Sequence, residues 1–246
     1  MKKVLGGLGI IVMFVIGVIF FDESITPSLV YGGDPDGRIL ESEGFCLSYS
    51  ETRKNPLWVY YRLFKVENPI SGKRPSKFKI DLRSPSRVRH EDFTNSGYDR
   101  GHMAPNYAIA TRYGPSAQRE TFVMTNIVPQ TPNLNRKLWK KLEQKVAKEW
   151  ANDLDEVWVI TGPIFNNDEK RLGSRLESGV EIPDAFYKMI VDEIDGEPRV
   201  LSFIMSQDAE GELKDYLVSV DDIEMKTYLD FFSRINLDET LIGEMW

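Results

Sequence analysis

The chain has 246 residues and a formal net charge of −7, and its hydrophobic fraction of 41% and charged fraction of 28% are those of an ordinary globular protein, which excludes disordered and collagen-like classes. The length fits one domain with an appendage, and the negative charge argues against a protein that coats nucleic acid stoichiometrically, because such binding depends on neutralising phosphates. One cysteine, Cys46, and two histidines, His90 and His102, exclude an intrachain disulfide and a tetrahedral Cys/His zinc site, so a bound metal would need oxygen ligands.

An apolar segment near the N-terminus predicts a membrane anchor. Lys2 and Lys3 precede residues 4–21, which carry no charge and whose length lies between that of a signal peptide and that of a short spanning helix. No convincing cleavage site follows, so we expect an uncleaved anchor. The lysines ahead of it predict that the rest of the chain is exported to the periplasmic or extracellular face of the membrane.

Three regions are expected along the chain. Residues 1–21 form the anchor or signal segment, and residues 22–44, rich in Gly, Pro and Asp, are typical of a linker with turns. The remaining residues, 45–246, are expected to form one folded domain.

The predicted domain mixes strands with a few helices. Branched and aromatic residues bounded by Gly and Pro predict strands over residues 57–64, 121–125, 157–160, 188–191 and 200–205. Apolar residues at helical spacing predict one helix from near Asn133 to Trp150, and a second helix is expected over residues 224–232. Because strands and helices do not alternate regularly, an α+β domain is predicted.

Basic residues concentrate in two stretches, residues 73–100 and 136–148, whereas acidic residues predominate after residue 192. Local fields steer ligands more than net charge does, so this acidic chain can still present a basic cleft. The second stretch is equally compatible with a solvated helix face.

The most informative motif is Asp99-Arg100-Gly101-His102. Neutral imidazole titrates near physiological pH, so His102 can take a proton from a water molecule that attacks phosphorus. Glycine before it allows a sharp turn of the chain. Alone, however, so short a motif favours a structural histidine over a catalytic one. His90, by contrast, is interpreted as a surface residue.

This motif resembles the signature of the DNA/RNA non-specific endonuclease family. Other segments resemble the family's core strand, basic loop, Asn-containing segment, metal-binding helix and post-strand turn, and they follow in the family's order: residues 58–61, 73–75, 125–130, 134–143 and 161–163. A single four-residue match could arise by chance, but an ordered set that spans residues 45–205 hardly could.

The resemblance implies a ββα-metal (His-Me finger) nuclease fold, with a central, mainly antiparallel sheet flanked by helices. By this resemblance His102 is the general base, and Asn135 is the direct protein ligand of Mg²⁺, for which Mn²⁺ could substitute. Magnesium keeps most of its waters, so one amide ligand is sufficient. Glu143, about 12 Å further along an ideal helix, would act on the metal through water.

The same resemblance implies how substrate is held. Arg74 and Arg100 would hold the phosphate, because the planar guanidinium matches phosphate oxygens. Asn126 would bind substrate and position the site, and Asp99 would support it by hydrogen bonding. The implied reaction is hydrolysis of DNA and RNA with little sequence preference, leaving 5′-phosphate ends.

Two other functions stay open at this point. One is a non-catalytic, nuclease-like binding module, which should lack the histidine or the metal asparagine; this chain has both. The other is a phosphodiesterase that acts on small or lipid phosphodiesters at the membrane. A homodimer and an inhibitor protein are left open as partners besides DNA, RNA and the membrane.

Overall fold

The computed structural model describes residues 37–165, 174–194 and 197–232. The predicted membrane segment, residues 4–21, lies outside the described residues, as does most of the predicted linker. No helix within the described ranges is long and apolar enough to cross a membrane.

The described residues contain nine strands and five α-helices. In chain order these are β1 (Gly37–Ser42), β2 (Phe45–Ser50), β3 (Asn55–Phe64), β4 (Asp99–His102), α1 (Asn106–Glu120), β5 (Ile127–Gln130), α2 (Pro132–Arg136), α3 (Leu138–Lys145), α4 (Ala151–Asp153), β6 (Glu156–Ile164), β7 (Ala185–Ile194), β8 (Glu197–Ser206), β9 (Leu217–Val218) and α5 (Val220–Thr227). A π-helical turn, Val146–Trp150, joins α3 to α4.

Seven strands form one antiparallel sheet in the order β1-β2-β3-β6-β7-β8-β9, and β4 and β5 form a separate two-stranded antiparallel sheet. The strands predicted over residues 57–64, 157–160, 188–191 and 200–205 lie within β3, β6, β7 and β8 and are confirmed. This arrangement also confirms the predicted α+β class with a central antiparallel sheet.

The central strands of the large sheet are buried on both faces. Successive residues of a strand point to opposite faces, and on β7 Phe186 packs in one core with Trp139 of α3, whereas Tyr187 packs in the other with Ile223 of α5. By the same alternation Lys188 shares the face of Phe186. The segments next to the predicted site residues, with Met103 and Leu134, pack in the core on the α3 side of the sheet.

The predicted linker ends earlier than expected. Strand β1 occupies Gly37–Ser42, within the segment assigned to linker, and pairs in register with β2. Gly44 in the connecting turn has φ of +85°, and a Cβ there would lie 2.6 Å from the Tyr113 ring. The strand was not predicted because the Gly and Asp residues around it are typical of a linker. Burial of Leu40 shows that this segment packs against the rest of the fold.

The strand predicted over residues 121–125 is wrong. The chain there forms a turn and a short 3-10 helix, Met124–Asn126, that leads into β5. Thr121, Phe122 and Met124 are all buried. Apolar content alone cannot distinguish a segment buried on every side from a strand, because only alternation between two faces separates them.

The long helix predicted from near Asn133 begins close to that position but is broken. Thr131 caps α2 by accepting a hydrogen bond from the backbone N–H of Leu134, and Lys137, with φ of −116° and ψ of −91°, separates α2 from α3. Asn135 and Glu143 thus lie on different helices, and the 12 Å separation expected along one ideal helix does not apply.

The second predicted helix, over residues 224–232, was placed too far along the chain. Helix α5 begins after Ser219, whose hydroxyl accepts from the backbone N–H of Asp222, and it ends at Tyr228, whose φ is +57°. The reciprocal cap formed by Ser219 and Asp222 is the sequence signal that marks the true start.

Candidate active site

The two-stranded sheet and α2 form a compact ββα unit that presents the motif residues. Asp99 pairs with Gln130, and His102, at the end of β4, pairs with Ile127. Gly101 is required by close packing, because a Cβ on it would lie 2.5 Å from Gln130 Oε1 and 2.9 Å from Gln130 Cβ. The expected sharp turn at this glycine is not seen, since it lies within the strand.

Asn126 locks the chain just after His102. Its backbone carbonyl accepts from the N–H of Met103 at 3.0 Å, and its side-chain Oδ1 accepts from the N–H of Ala104 at 2.8 Å. Its Nδ2 donates to the carbonyls of Ala104 and Thr121, each at 3.0 Å. Asn126 is fully buried. Its side chain is therefore closed off from solvent in this structure, and its contacts position the histidine strand.

His102 lies between two aromatic rings. The centroids of Phe78 and Phe122 lie 5.2 Å and 4.9 Å from that of the imidazole. Nε2 is buried and has no hydrogen-bond partner among the described residues. Burial, and secondarily the positive charge of Arg74, lower the pKa of His102 from 6.5 to about 3. The imidazole is consequently neutral at physiological pH, and the same burial and charge oppose its protonation.

This environment predicts an acid-sensitive fold. An unfolded histidine keeps a pKa near 6.5, so between about pH 6.5 and the folded value near 3 the unfolded chain binds one proton more, and stability falls as the pH falls. The unfolding free energy of wild type and of His102→Asn is measured by urea denaturation in chelator at about pH 6 and about pH 5. Between these two pH values, wild type should lose up to about 1.4 kcal/mol more of its unfolding free energy than His102→Asn loses. Equal losses in the two proteins would contradict the buried neutral imidazole.

Asn135 is held in one orientation. Its Nδ2 donates to Asp99 Oδ2 at 2.9 Å, which leaves the amide oxygen as the group available to a metal. Arg136 also donates to Asp99, from Nε at 2.7 Å and Nη2 at 2.6 Å. Burial alone would raise the pKa of Asp99, but hydrogen bonds from Arg136 and Asn135 offset this and lower it. Asp99 is therefore a stable anion that orients the amide.

Glu143 lies beneath the cleft beside a buried cation. Burial raises the pKa of Glu143, and the positive charges of Lys188 and Arg74 oppose that rise. Lys188 is fully buried, donates to Tyr61 Oη at 3.3 Å, and lies 4.6 Å from the centroid of the Trp139 ring. Burial is the larger effect, so the pKa of Glu143 is raised overall and the two cations only partly preserve its charge.

The two arginines differ in how they are held. Arg100 donates from Nε and Nη2 to the carbonyl of His90, at 3.0 Å and 2.7 Å, and from Nη2 to Thr94 Oγ1 at 3.1 Å. Arg74 is exposed, with its guanidinium carbon 5.4 Å from the centroid of the Phe122 ring. Arg100 is thus a fixed cation, and Arg74 is an accessible one above the histidine.

One cleft of about 580 Å³ collects these groups. Its lining includes the predicted residues Arg74, Asp99, Arg100, His102, Asn135 and Glu143, and Asn126 is absent from it.

The interpretation of His90 as a surface residue also changes. It is half-buried, stacks on Phe78 at 5.8 Å, accepts from the Phe78 N–H through Nδ1, and its carbonyl anchors Arg100.

Other residues of the site were not found by sequence reasoning. Arg136, Lys140 and Lys148 line the cleft and belong to the basic stretch whose role was left open. Lys148 lies 5.2 Å from the ring centroid of Tyr107, which is also part of the cleft. A signal for Lys188 was present, because it is a single cation inside the apolar run of β7.

The donor set suits a hard cation held mainly by water. No group of three or more His, Cys, Asp or Glu side chains able to hold a metal ion occurs in the described part of the chain. The oriented amide of Asn135 supplies a neutral oxygen, and Glu143 supplies a nearby carboxylate. Magnesium binds through few protein oxygens and keeps several waters, so these residues fit Mg²⁺.

Residues 25–238 match the sequence profile of the DNA/RNA non-specific endonuclease family. The chain is 29% identical to the mitochondrial nuclease EXOG of Homo sapiens, over 88% of this chain and 67% of that protein. It is 31% identical to nuclease C1 of Cunninghamella echinulata var. echinulata, over 89% of this chain and 92% of that protein.

The fold is similar to a solved structure of the same kind. The crystal structure of the EndoG/EndoGI complex, which concerns the mechanism of EndoG inhibition, matches with a TM-score of 0.73 and 27% identity, over 84% of this chain and 89% of that chain. The predicted ββα-metal fold is confirmed by this likeness and by the family match, with β4, β5 and α2 as its ββα unit.

Proposed function

This chain belongs to the DNA/RNA non-specific endonuclease family, and on that premise we propose that it hydrolyses phosphodiester bonds of DNA and RNA with His102 as general base. The observation that carries this proposal is the single cleft that gathers a neutral histidine, an oriented asparagine, a buried carboxylate and two arginines. These are the groups that phosphodiester hydrolysis needs, namely a base, a metal ligand and cations for phosphate.

In the proposed reaction His102 takes a proton from water as the water oxygen attacks phosphorus. The bond between phosphorus and the 3′ oxygen breaks, so the products are a 5′-phosphate and a 3′-hydroxyl, the latter protonated from solvent. His102 begins this step in the neutral form that a general base requires, and Asn126 fixes the backbone that follows it.

Asn135, through Oδ1, would hold Mg²⁺, and Glu143 would hold it through an intervening water. When bound, the ion supplies positive charge that stabilises the additional negative charge on the phosphoryl oxygens and the departing oxygen. Asp99 holds the Asn135 amide so that the oxygen faces the cleft, and Lys188 keeps a positive charge behind Glu143.

Arg74 and Arg100 would hold the phosphate on either side of His102. Charge-assisted hydrogen bonds from guanidinium groups recognise phosphate oxygens and carry no sequence information, so low sequence preference follows from such contacts. Lys140 and Lys148 extend the basic lining and would contact neighbouring phosphates. Double-stranded and single-stranded nucleic acid both present this backbone.

A digestion assay tests the proposal. The purified domain, residues 37–246, should degrade plasmid DNA and RNA in Mg²⁺ or Mn²⁺ and stop when EDTA is added, because both substrates offer the same phosphodiester. A small phosphodiester assayed in parallel separates the alternatives. Cleavage of the small compound alone would favour the small-substrate phosphodiesterase, and no cleavage of either would favour a non-catalytic module. Persistent digestion in EDTA would contradict the metal requirement.

We also propose that residues 1–21 anchor the domain and that the domain is exported. A reporter enzyme fused after Trp246 should be active outside the cytoplasm, because Lys2 and Lys3 retain the N-terminus on the cytoplasmic side. Fractionation should find full-length protein in the membrane. A reporter active only in the cytoplasm would refute the topology, and a shortened soluble form would indicate cleavage instead of anchoring.

A further inference from the structure

A second cavity adjoins the catalytic cleft. It has a volume of about 500 Å³ and shares Asp99, Arg100 and Arg136 with the cleft. Its far wall is formed by Tyr98 and by the turn of residues 94–97, between a short 3-10 helix, His90–Phe93, and β4. The volume lies in the range of cavities that hold one small ligand group.

We propose that this side cavity, lined by Tyr98, Asn95, Arg100 and Arg136, binds the nucleotide next to the scissile phosphate. The inference rests on the proposed nuclease function and deepens it, since it gives the substrate strand a path. The strand leaves the cleft across Arg100 and Arg136, and its next base lies in the side cavity.

Charge favours a phosphate at the boundary between the two cavities. Arg136 exposes 67% of its side chain and uses Nε and Nη2 on Asp99, which leaves further N–H groups of its five for a ligand. The carboxylate of Asp99 is compensated by that pair. Arg100 adds a second cation, which its bonds to the His90 carbonyl and Thr94 hold in place.

Tyr98 offers a surface for the base. Its side chain is half-buried and packs against a small apolar cluster that includes Val88, Phe93 and Ile127. A ring held from behind loses little conformational freedom when a base stacks on it. Every base has a π-face, so stacking on tyrosine adds affinity without sequence preference, in agreement with the family's low specificity.

The turn beside Tyr98 contains two residues in the left-handed backbone conformation. Asn95 has φ of +60° and Gly97 has φ of +83°, and both are exposed. Asparagine tolerates this left-handed conformation better than most residues, as glycine does. Asn95 keeps the cavity rim uncharged, where a carboxylate would repel the phosphate.

Two pairs of variants test the side cavity in the metal-loaded protein. For each variant, kcat/KM is measured on a short single-stranded oligonucleotide and on bis(p-nitrophenyl) phosphate, a phosphodiester that contains no nucleotide. The ratio compared is kcat/KM on the oligonucleotide divided by kcat/KM on the small phosphodiester. Tyr98→Ala should lower this ratio about tenfold, the order expected from one lost stacking contact, whereas Tyr98→Phe should preserve it. Asn95→Asp, nearly isosteric but anionic, should also lower the ratio, whereas Asn95→Gly should not.

An unchanged ratio in both Tyr98→Ala and Asn95→Asp would overturn the proposal. If Tyr98→Ala does not fold, as judged by circular dichroism, Asn95→Asp against Asn95→Gly decides alone. A failure of the proposed function looks different, because wild type would then leave the oligonucleotide intact, whether or not it cleaves the small phosphodiester. A ratio that falls for Tyr98→Phe as much as for Tyr98→Ala would also contradict stacking as the cause.

Discussion

His102→Ala is expected to lower the turnover of plasmid DNA by about 10²- to 10⁴-fold, the usual contribution of a positioned general base. The physical reason is that no other neutral imidazole lines the catalytic cleft among the described residues. The residual rate should remain measurable, because the metal and the arginines still stabilise charge. Initial rates in saturating Mg²⁺ measure the effect.

His90→Ala is the matched control for that experiment. It removes the other imidazole but keeps the backbone carbonyl that holds Arg100, so its loss should be much smaller. Since His102 packs between Phe78 and Phe122, thermal melting must show that His102→Ala is folded, and His102→Asn serves as a second, less truncated variant. Equal losses in the His90 and His102 variants would refute the assigned base.

Asn135→Ala is expected to raise the Mg²⁺ concentration needed for half-maximal activity by at least about tenfold, since even residues that merely support a metal ligand contribute that much affinity. Added Mg²⁺ should restore part of the rate. The measurement is activity against metal concentration at fixed substrate.

Asn135→Asp is its control, because it keeps an oxygen at the same place while losing the bond to Asp99. Its metal requirement should stay closer to that of wild type than the requirement of Asn135→Ala does. A normal Mg²⁺ requirement in Asn135→Ala, with only a lower maximal rate, would show that this side chain is not a metal ligand.

The strands of the sheet could be predicted because each has a dense run of branched and aromatic residues, and burial on both faces selects such runs. The wrong strand prediction has a different origin. Residues 121–125 have the same composition, but Thr121 and Phe122 are buried in a turn that Asn126 ties together. The composition of a segment indicates that it is buried, but it does not indicate whether its backbone forms a strand or a turn.

The cleft residues came from motif order, and the structure brings Arg74, Asp99, Arg100, His102, Asn135 and Glu143 together. What sequence could not supply is the pairing between distant segments. Arg136 meets Asp99 across 37 positions, and the charge of Lys188 reaches Glu143 only because β7 lies beneath α3. The positioning role of Asn126 likewise depends on Ala104 and Thr121, which meet its side chain only in the folded chain.

The central claim is that His102 accepts the proton and Asn135 binds the metal. Calorimetric titration of Mn²⁺ into wild type, His102→Ala and Asn135→Ala tests this claim most directly. His102 is proposed to handle only the proton, so His102→Ala should bind Mn²⁺ with wild-type affinity although its turnover is much lower. Asn135→Ala should bind it at least about tenfold more weakly. If His102→Ala loses the metal while Asn135→Ala keeps full affinity, the roles assigned to the two residues are wrong.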